Sequence, residues 1–385
     1  MVAGEASGDL LGSYLIEALT HHMPAARFFG IGGPKMEAAG MSVDWPAEKL
    51  AVRGYVEVLR HYRGISRIRR ALLKRLLADP PDVFIGVDAP DFNLWLETRL
   101  KASGVSTVHF VSPSLWAWRG GRIRHISRAV DRILCLFPFE PAIYARAGIE
   151  AHFVGHPLAD VIPLEPNQEV FRERLNLPQD ALVFALLPGS RQSELQYLAE
   201  TFIETAKLLH QRFPQARMLV PLVSRETRTQ FENELWRLGA QELPVTLLFG
   251  HAHDAIASAD AVLVASGTAT LEAALFKKPM VICYKMSPWS WQMMRRIRYQ
   301  PWVGLPNILA GRFVVPEFLQ DDANPENLCQ ALGNLVGDQL IRKRLHGLFS
   351  AMHLELRQNT AERAAQVVLP VLRHEPVPDA AHAGA

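Results

Sequence analysis

The sequence predicts an α/β protein built from two doubly wound parallel sheets, and three observations carry that expectation. Short apolar runs alternate with helical patterns along the chain, as strand–helix–strand units do. The runs fall into two series, separated by a stretch rich in proline and polar residues. At 385 residues, the chain is longer than one hydrophobic core usually organises.

The first series opens at "VAGEASGDLLGSYL", where Gly4, Gly8 and Gly12 recur every four residues. Such a glycine loop follows a buried strand, yet only Met1, Val2 and Ala3 precede it, short of the usual ~5–6 residues. The expectation is that this strand continues upstream of Met1. "PDVFIGVD" (81–88), "VSTVHFV" (105–111) and "DRILCLF" (131–137) read as further buried strands, and "VGHPLADVIPLEPNQEV" (154–170) as the linker. The second series is "LVFALLPGS" (182–190), "ARMLVPLV" (216–223), "PVTLLFG" (244–250) and "DAVLVASG" (260–267). This places one domain at 1–160 and another at 161–345, facing across a cleft. A helical segment at 346–374 is expected to pack back on the first domain, ahead of a disordered tail at 375–385.

Composition excludes several classes. Hydrophobic residues make up 49% and charged residues 21%, ordinary for a globular enzyme. The net charge of +2 provides no global field for nucleic acid, and no nucleic-acid-binding motif is present. Cys135, Cys283 and Cys329 sit in apolar contexts without a CxxC pair and read as reduced thiols. Neither they nor the 14 histidines show metal-ligand spacing. No signal peptide is evident, and no apolar run reaches the ~18 residues of a membrane span. A soluble or peripheral protein is expected.

Ligands of doubly wound sheets bind beyond the carboxyl ends of the strands, and four loops there carry candidate chemistry. In "LLPGSRQSELQ", Ser193 and Gln196 have capping-box spacing, so a helix is expected to start there. Arg191 then sits just ahead of it, where the dipole disfavours a cation. An anionic ligand reconciles the two; a solvated arginine is the plain alternative. In "VLVASGTATLEAALF", Ser266, Gly267 and Thr268 offer N–H and hydroxyl donors to a phosphate, and Glu272 could accept from a ribose diol. In "VFIGVDAPDFN", Asp91 is explained as an N-cap, whereas Asp88 ends an apolar strand and is a general-base candidate. In the opening loop, Glu5, Ser7 and Asp9 suit sugar hydroxyls better than phosphate, with Glu5 harder to dismiss than Asp9, which also suits the helix dipole.

Two segments pair grease with positive charge. Residues 53–75 hold eight Lys and Arg with one acid, and Ile65, Ile68, Leu72 and Leu76 follow helical spacing. That is an interfacial pattern, or a helix on its own sheet with a solvated basic face. "YKMSPWSWQMMRRIRYQPWVGLPN" (284–307) groups Trp289, Trp291, Met293 and Met294 with Arg295, Arg296 and Arg298, a composition suited to a lipid headgroup boundary or to a buried hinge. "SPSLWAWRGGRIR" (112–124) adds two tryptophans.

From "VAGEASGD" through "GVDAPDFN", "VSPSLWAWR", "VGHPLAD", "LLPGSR" and "ASGTATLE" to "LPNILAGR", the chain resembles the lipid-A-disaccharide synthase family over nearly its whole length. The resemblance implies the GT-B architecture of two Rossmann-like domains, with UDP on the C-terminal domain and acceptor on the N-terminal one. It implies an inverting, metal-independent transfer of diacylglucosamine from UDP-2,3-diacylglucosamine to 2,3-diacylglucosamine 1-phosphate, forming a β(1→6) disaccharide and UDP with no cofactor. By it, Ser190, Arg191, Ser266, Gly267, Thr268 and Glu272 contact the nucleotide. Asp88, with Glu5, is catalytic, and Ser7, Asp9 and Asn307 meet the acceptor. The location implied is cytoplasmic and peripheral on the inner membrane; self-association stays open. Two other readings remain, a UDP-sugar 2-epimerase of the same fold and a non-catalytic lipid- or nucleotide-binding module.

Overall fold

The computed structural model describes residues 1–50, 55–113, 122–297 and 301–373. The chain divides into two units, Met1–Asp160 with Leu356–Ala385, and Val161–Glu355.

Among the described residues the first unit holds seven parallel strands: β1 (Val2–Ala3), β2 (Phe28–Gly32), β3 (Met41–Pro46), β4 (Val83–Val87), β5 (Ser106–Phe110), β6 (Arg132–Cys135) and β7 (Glu150–Phe153). Their order is β3-β2-β1-β4-β5-β6-β7. The second holds six: β8 (Val183–Leu187), β9 (Arg217–Leu222), β10 (Val245–Phe249), β11 (Ala261–Ala265), β12 (Met280–Tyr284) and β13 (Glu317–Leu319), ordered β10-β9-β8-β11-β12-β13. Each sheet is doubly wound. The strand order reverses between β1 and β4 in one and between β8 and β11 in the other, so a crevice opens at each carboxyl edge. The central strands are buried on both faces, which explains their unbroken apolar sequences.

Helices seal both faces. Helix Tyr55–Ala78 lays Leu72, Leu76, Ile65 and Ile68 into the core formed by Val2, Ile31, Phe84, Phe92 and Leu96. Leu72 and Leu76 of this stripe are buried and Ile65 and Ile68 partly so, so among the described side chains the segment has a core face and a cationic outer face. Helix Gln339–Leu356 belongs to the second unit except for its last residue, Leu356. The chain thus returns to the first unit later than position 346. There helix Thr360–Arg373 packs Ala364, Ala365 and Val368 with Leu15, Ile16 and Leu19 of helix Ala6–His22. The Asp160 carboxylate fixes the return by accepting from Asn359 and Thr360 N–H at 2.9 and 2.7 Å.

β1 lies at the centre of its sheet but pairs over two residues only, Val2 with Ile31 and Gly86, and Ala3 with Val87. The amino group of Met1 is buried, donates to Phe29 O at 2.8 Å, and is pushed down by burial to a pKa of about 5. A cavity of about 560 Å³ beside it is lined by Phe28, Phe29, Val83, Phe84, Leu76 and Leu372, among others.

Candidate functional site

The first crevice brings the opening loop against the loop after β4. A Cβ on Gly4 would lie 2.9 Å from Ala89 Cβ, so the two turns touch. Glu5 is the N-cap of helix Ala6–His22, and its side chain and that of Ser7 are exposed. Asp88 is half-buried across from them. Its backbone is strained: Asp88 and Ala89 both occupy the left-handed region, at φ 53° and 44°. Two consecutive non-glycine residues there cost roughly 1–3 kcal/mol each and persist only where surroundings impose them. Those surroundings are visible. Asp88 N–H donates to Phe110 O at 2.8 Å, and Asn93 Nδ2 donates to Asp88 O at 2.7 Å and to Val2 O at 3.2 Å. Ala89, not Asp91, is the N-cap of helix Pro90–Ala102; Asp91 is exposed and pairs with Arg122 at 2.7 Å.

The other opening-loop residues have structural employment. Asp9 is 6% exposed, and its carboxylate accepts from Gly33, Lys35 and Met36 N–H at 2.8, 3.1 and 3.0 Å. It caps helix Pro34–Ala38 from a distance, which takes three of the roughly four acceptor sites of its carboxylate. Gly8 gives room to the Val87 carbonyl and Gly12 to Met36. Gly8 and Gly12 therefore serve close packing of the helix.

At the second crevice lie the loops after β8 and β11. Helix Gln192–Arg212 starts at Gln192 with Arg191 as N-cap, earlier than the Ser193–Gln196 spacing suggests. The cap is Glu194, whose Oε2 accepts from Ser190 N–H at 2.8 Å and Arg191 N–H at 3.2 Å. Gly189, at φ 125°, is obligatory there: a Cβ would meet Glu194 Cβ at 2.7 Å. The Arg191 guanidinium stays 70% exposed, 3.5 Å from Glu194 Oε1. Ser266 Oγ donates to Val303 O at 2.8 Å, and Gly267, at φ 155°, turns the chain into helix Thr268–Leu275. First-turn N–H groups of a helix have no intrahelical acceptor and favour an anion. Glu272 lies 3.8 Å from His253 Nε2, and that carboxylate holds the imidazole pKa up. Tyr284, at the end of β12, has its phenol pushed up by burial and by Glu194. An open polar groove of about 800 Å³ runs alongside, lined by Gln192, Ser193, Gln196, Arg225, Glu226 and Gln230, among others. Ser190, Arg191 and Ser266–Thr268 do not line it.

Asn307 is fully buried. Its amide donates to Val315 O and Glu317 Oε1 and accepts from Val314 and Val315 N–H, so it locks its own loop and offers nothing to an acceptor. Helix Pro288–Ile297 follows β12 at the same sheet edge as the loops after β8 and β11. Trp289 and Met293, one turn apart, are 88% and 64% exposed; Met294 is buried and cannot meet a lipid. Trp291 is half-buried and Arg295 exposed. Arg298, the side chain of Arg296, residues 114–121 and the tail at 375–385 lie outside the described residues. Among the described residues no helix is long and apolar enough to cross a membrane, and no cluster of three or more His, Cys, Asp or Glu could hold a metal ion.

Two doubly wound sheets, each with candidate ligand loops at its switch point, define the GT-B class of glycosyltransferases and nucleotide-sugar epimerases. Solved structures of that class align along the chain. The Anabaena HepE protein in complex with UDP-glucose is 11% identical at a TM-score of 0.55, covering 96% of this chain and 97% of its own. A Methanocaldococcus jannaschii UDP-GlcNAc 2-epimerase in complex with UDP-GlcNAc and UDP is 14% identical at 0.59, covering 94% and 96%. At such identity they show the fold alone. The family model described as lipid-A-disaccharide synthetase matches residues 1–371, and a lipid-A-disaccharide synthase of Aromatoleum aromaticum is 59% identical over 98% of this chain and 96% of its own length. The chain belongs to the lipid-A-disaccharide synthase family, the glycosyltransferases that form the lipid A disaccharide.

The Glu194 cap gives a direct check on the β8 loop. Glu194→Ala leaves two amides unpartnered and is expected to cost about 1 kcal/mol, read as a lower melting temperature. An unchanged melting temperature would mean that Ser190 and Arg191 N–H face other acceptors.

Proposed function

We propose that the chain transfers a diacylglucosamine from its UDP conjugate to the 6-hydroxyl of diacylglucosamine 1-phosphate, with Asp88 as general base. The observation that carries this is the Asp88 turn: a carboxylate held at a strand end, at a switch point, on a backbone that is strained and braced. In an inverting displacement the acceptor hydroxyl attacks the anomeric carbon from the face opposite UDP. The Asp88 carboxylate takes the hydroxyl proton as the new C–O bond forms and the bond to the diphosphate breaks. Exposed Glu5 and Ser7 beside it suit acceptor hydroxyls.

UDP belongs to the second unit in this reading. The Arg191 guanidinium and the N-terminal amides of helix Thr268–Leu275 neutralise charge growing on the leaving diphosphate, with Ser266, Gly267 and Ser190 at its edges. Glu272 accepts from the ribose diol. Asp88→Asn is expected to cut turnover by ~10²–10⁴-fold while UDP affinity by calorimetry stays at the parent value. Arg191→Ala and Glu272→Ala should each weaken UDP by roughly tenfold. Retention of a tenth of turnover in Asp88→Asn removes the base; full UDP affinity in both other variants removes the nucleotide site.

The acyl chains set a second requirement. At about 0.8 kcal/mol per methylene, a chain of roughly a dozen carbons scarcely leaves the bilayer, so the enzyme meets its substrates at a lipid surface. Trp289 and Met293 insert and Arg295 meets anionic headgroups, at the edge that carries the nucleotide loops. The variant Trp289→Ser/Met293→Ser/Arg295→Gln should no longer sediment with anionic phospholipid vesicles yet bind UDP normally. Sedimentation equal to the parent protein's would remove this helix from the contact.

A further inference from the structure

Behind Asp88 lies a buried polar cluster that the reaction as described does not use. Helix Pro90–Ala102 turns Asn93 and Glu97, one turn apart, onto the face of the sheet over Gly86. Gly86 is the cross-strand partner of His109 on β5, and directly paired residues project to one face. Asn93, Glu97 and His109 are all fully buried. The glycine is required by this arrangement, because a Cβ at 86 would meet Asn93 Cβ at 2.9 Å and overlap the Glu97 carboxylate. Into that space Glu97 Oε1 reaches His109 Nδ1 at 2.7 Å.

Each of the three keeps one buried atom without a hydrogen-bond partner among the described residues: Asn93 Oδ1, Glu97 Oε2 and His109 Nε2. A packed apolar triad would avoid those costs, of about 1–3 kcal/mol each. Burial raises the Glu97 pKa despite the opposing His109. For His109 burial works downward, and the Glu97 carboxylate more than offsets it, with Asp88 adding to the rise.

The cluster connects to Asp88 through one side chain. Asn93 Nδ2 donates to the Asp88 carbonyl, and that carbonyl belongs to the first of the two left-handed residues. Asn93 Cβ packs at Gly86 beside Glu97, so the Glu97–His109 pair fixes the floor on which Asn93 stands. We infer that Asn93, Glu97 and His109 are positioning residues, which hold the strained Asp88–Ala89 turn so that the Asp88 carboxylate faces the acceptor hydroxyl. This rests on Asp88 being the base.

The test measures kcat per UDP-binding site, with sites counted by calorimetry so that misfolded protein does not enter. Asn93→Ala is expected to lower kcat at least tenfold with UDP affinity and acceptor KM unchanged. Glu97→Gln/His109→Gln, which removes both titratable groups and keeps side chains able to hydrogen-bond, is the second variant should Asn93→Ala fold poorly; it should show the same split. In an Asp88→Asn background, neither change should reduce the residual rate further. A kcat per site within twofold of the parent protein, with only the melting temperature lowered, would make the cluster structural and overturn the inference. So would an equal loss in the Asp88→Asn background. Failure of the base assignment itself reads differently: Asp88→Asn alone would keep its turnover.

Discussion

A parallel sheet wound in both directions from its middle sends its two central connections to opposite faces, and nothing then covers the carboxyl ends of the central strands. That constraint positions the rest of this molecule. β1 and β4 diverge in the first unit and β8 and β11 in the second, and the loops that leave them carry Glu5, Asp88, Arg191 and Gly267. Each loop needs a local device to hold its shape where the ladder ends. At β4 it is a left-handed turn braced by Asn93; at β8 it is the Glu194 carboxylate under Ser190 and Arg191.

The same device explains two carboxylates with opposite fates. Asp9 and Asp88 both follow central strands of one sheet. Asp9 is enclosed by three backbone N–H donors from the next helix and is spent on structure. For Asp88 the bracing falls on its backbone groups, which leaves the carboxylate to the proposed role of base. Placement after a central strand does not separate them; the accounting of hydrogen bonds does.

The architecture was legible because its signals are local. Apolar runs at 81–88, 105–111, 131–137 and through the second series each contain an observed strand, most of them buried on both faces. β3, β7 and β13 lie at sheet edges and are only partly buried, which weakens their pattern. Within the candidate site, the loops could be read but the partners could not. The acceptors and donors that decide the roles of Asp9, Asn307 and Asp88 lie on other elements. Met294 illustrates the limit for lipid contact: composition groups it with Trp289 and Met293, and helical geometry turns it inward. Glu97 and His109 gave no signal, since a glutamate on a helix and a histidine in a strand acquire meaning only when Gly86 lets them meet.

The central claim is that these loops join two acylated sugars and release UDP. Incubating the protein with UDP-2,3-diacylglucosamine and 2,3-diacylglucosamine 1-phosphate in anionic vesicles, then weighing the lipid product by mass spectrometry, tests it most directly. The account predicts one disaccharide 1-phosphate formed per UDP released, and neither without both substrates. An intact UDP-sugar converted to its epimer, or bound without turnover, would contradict it.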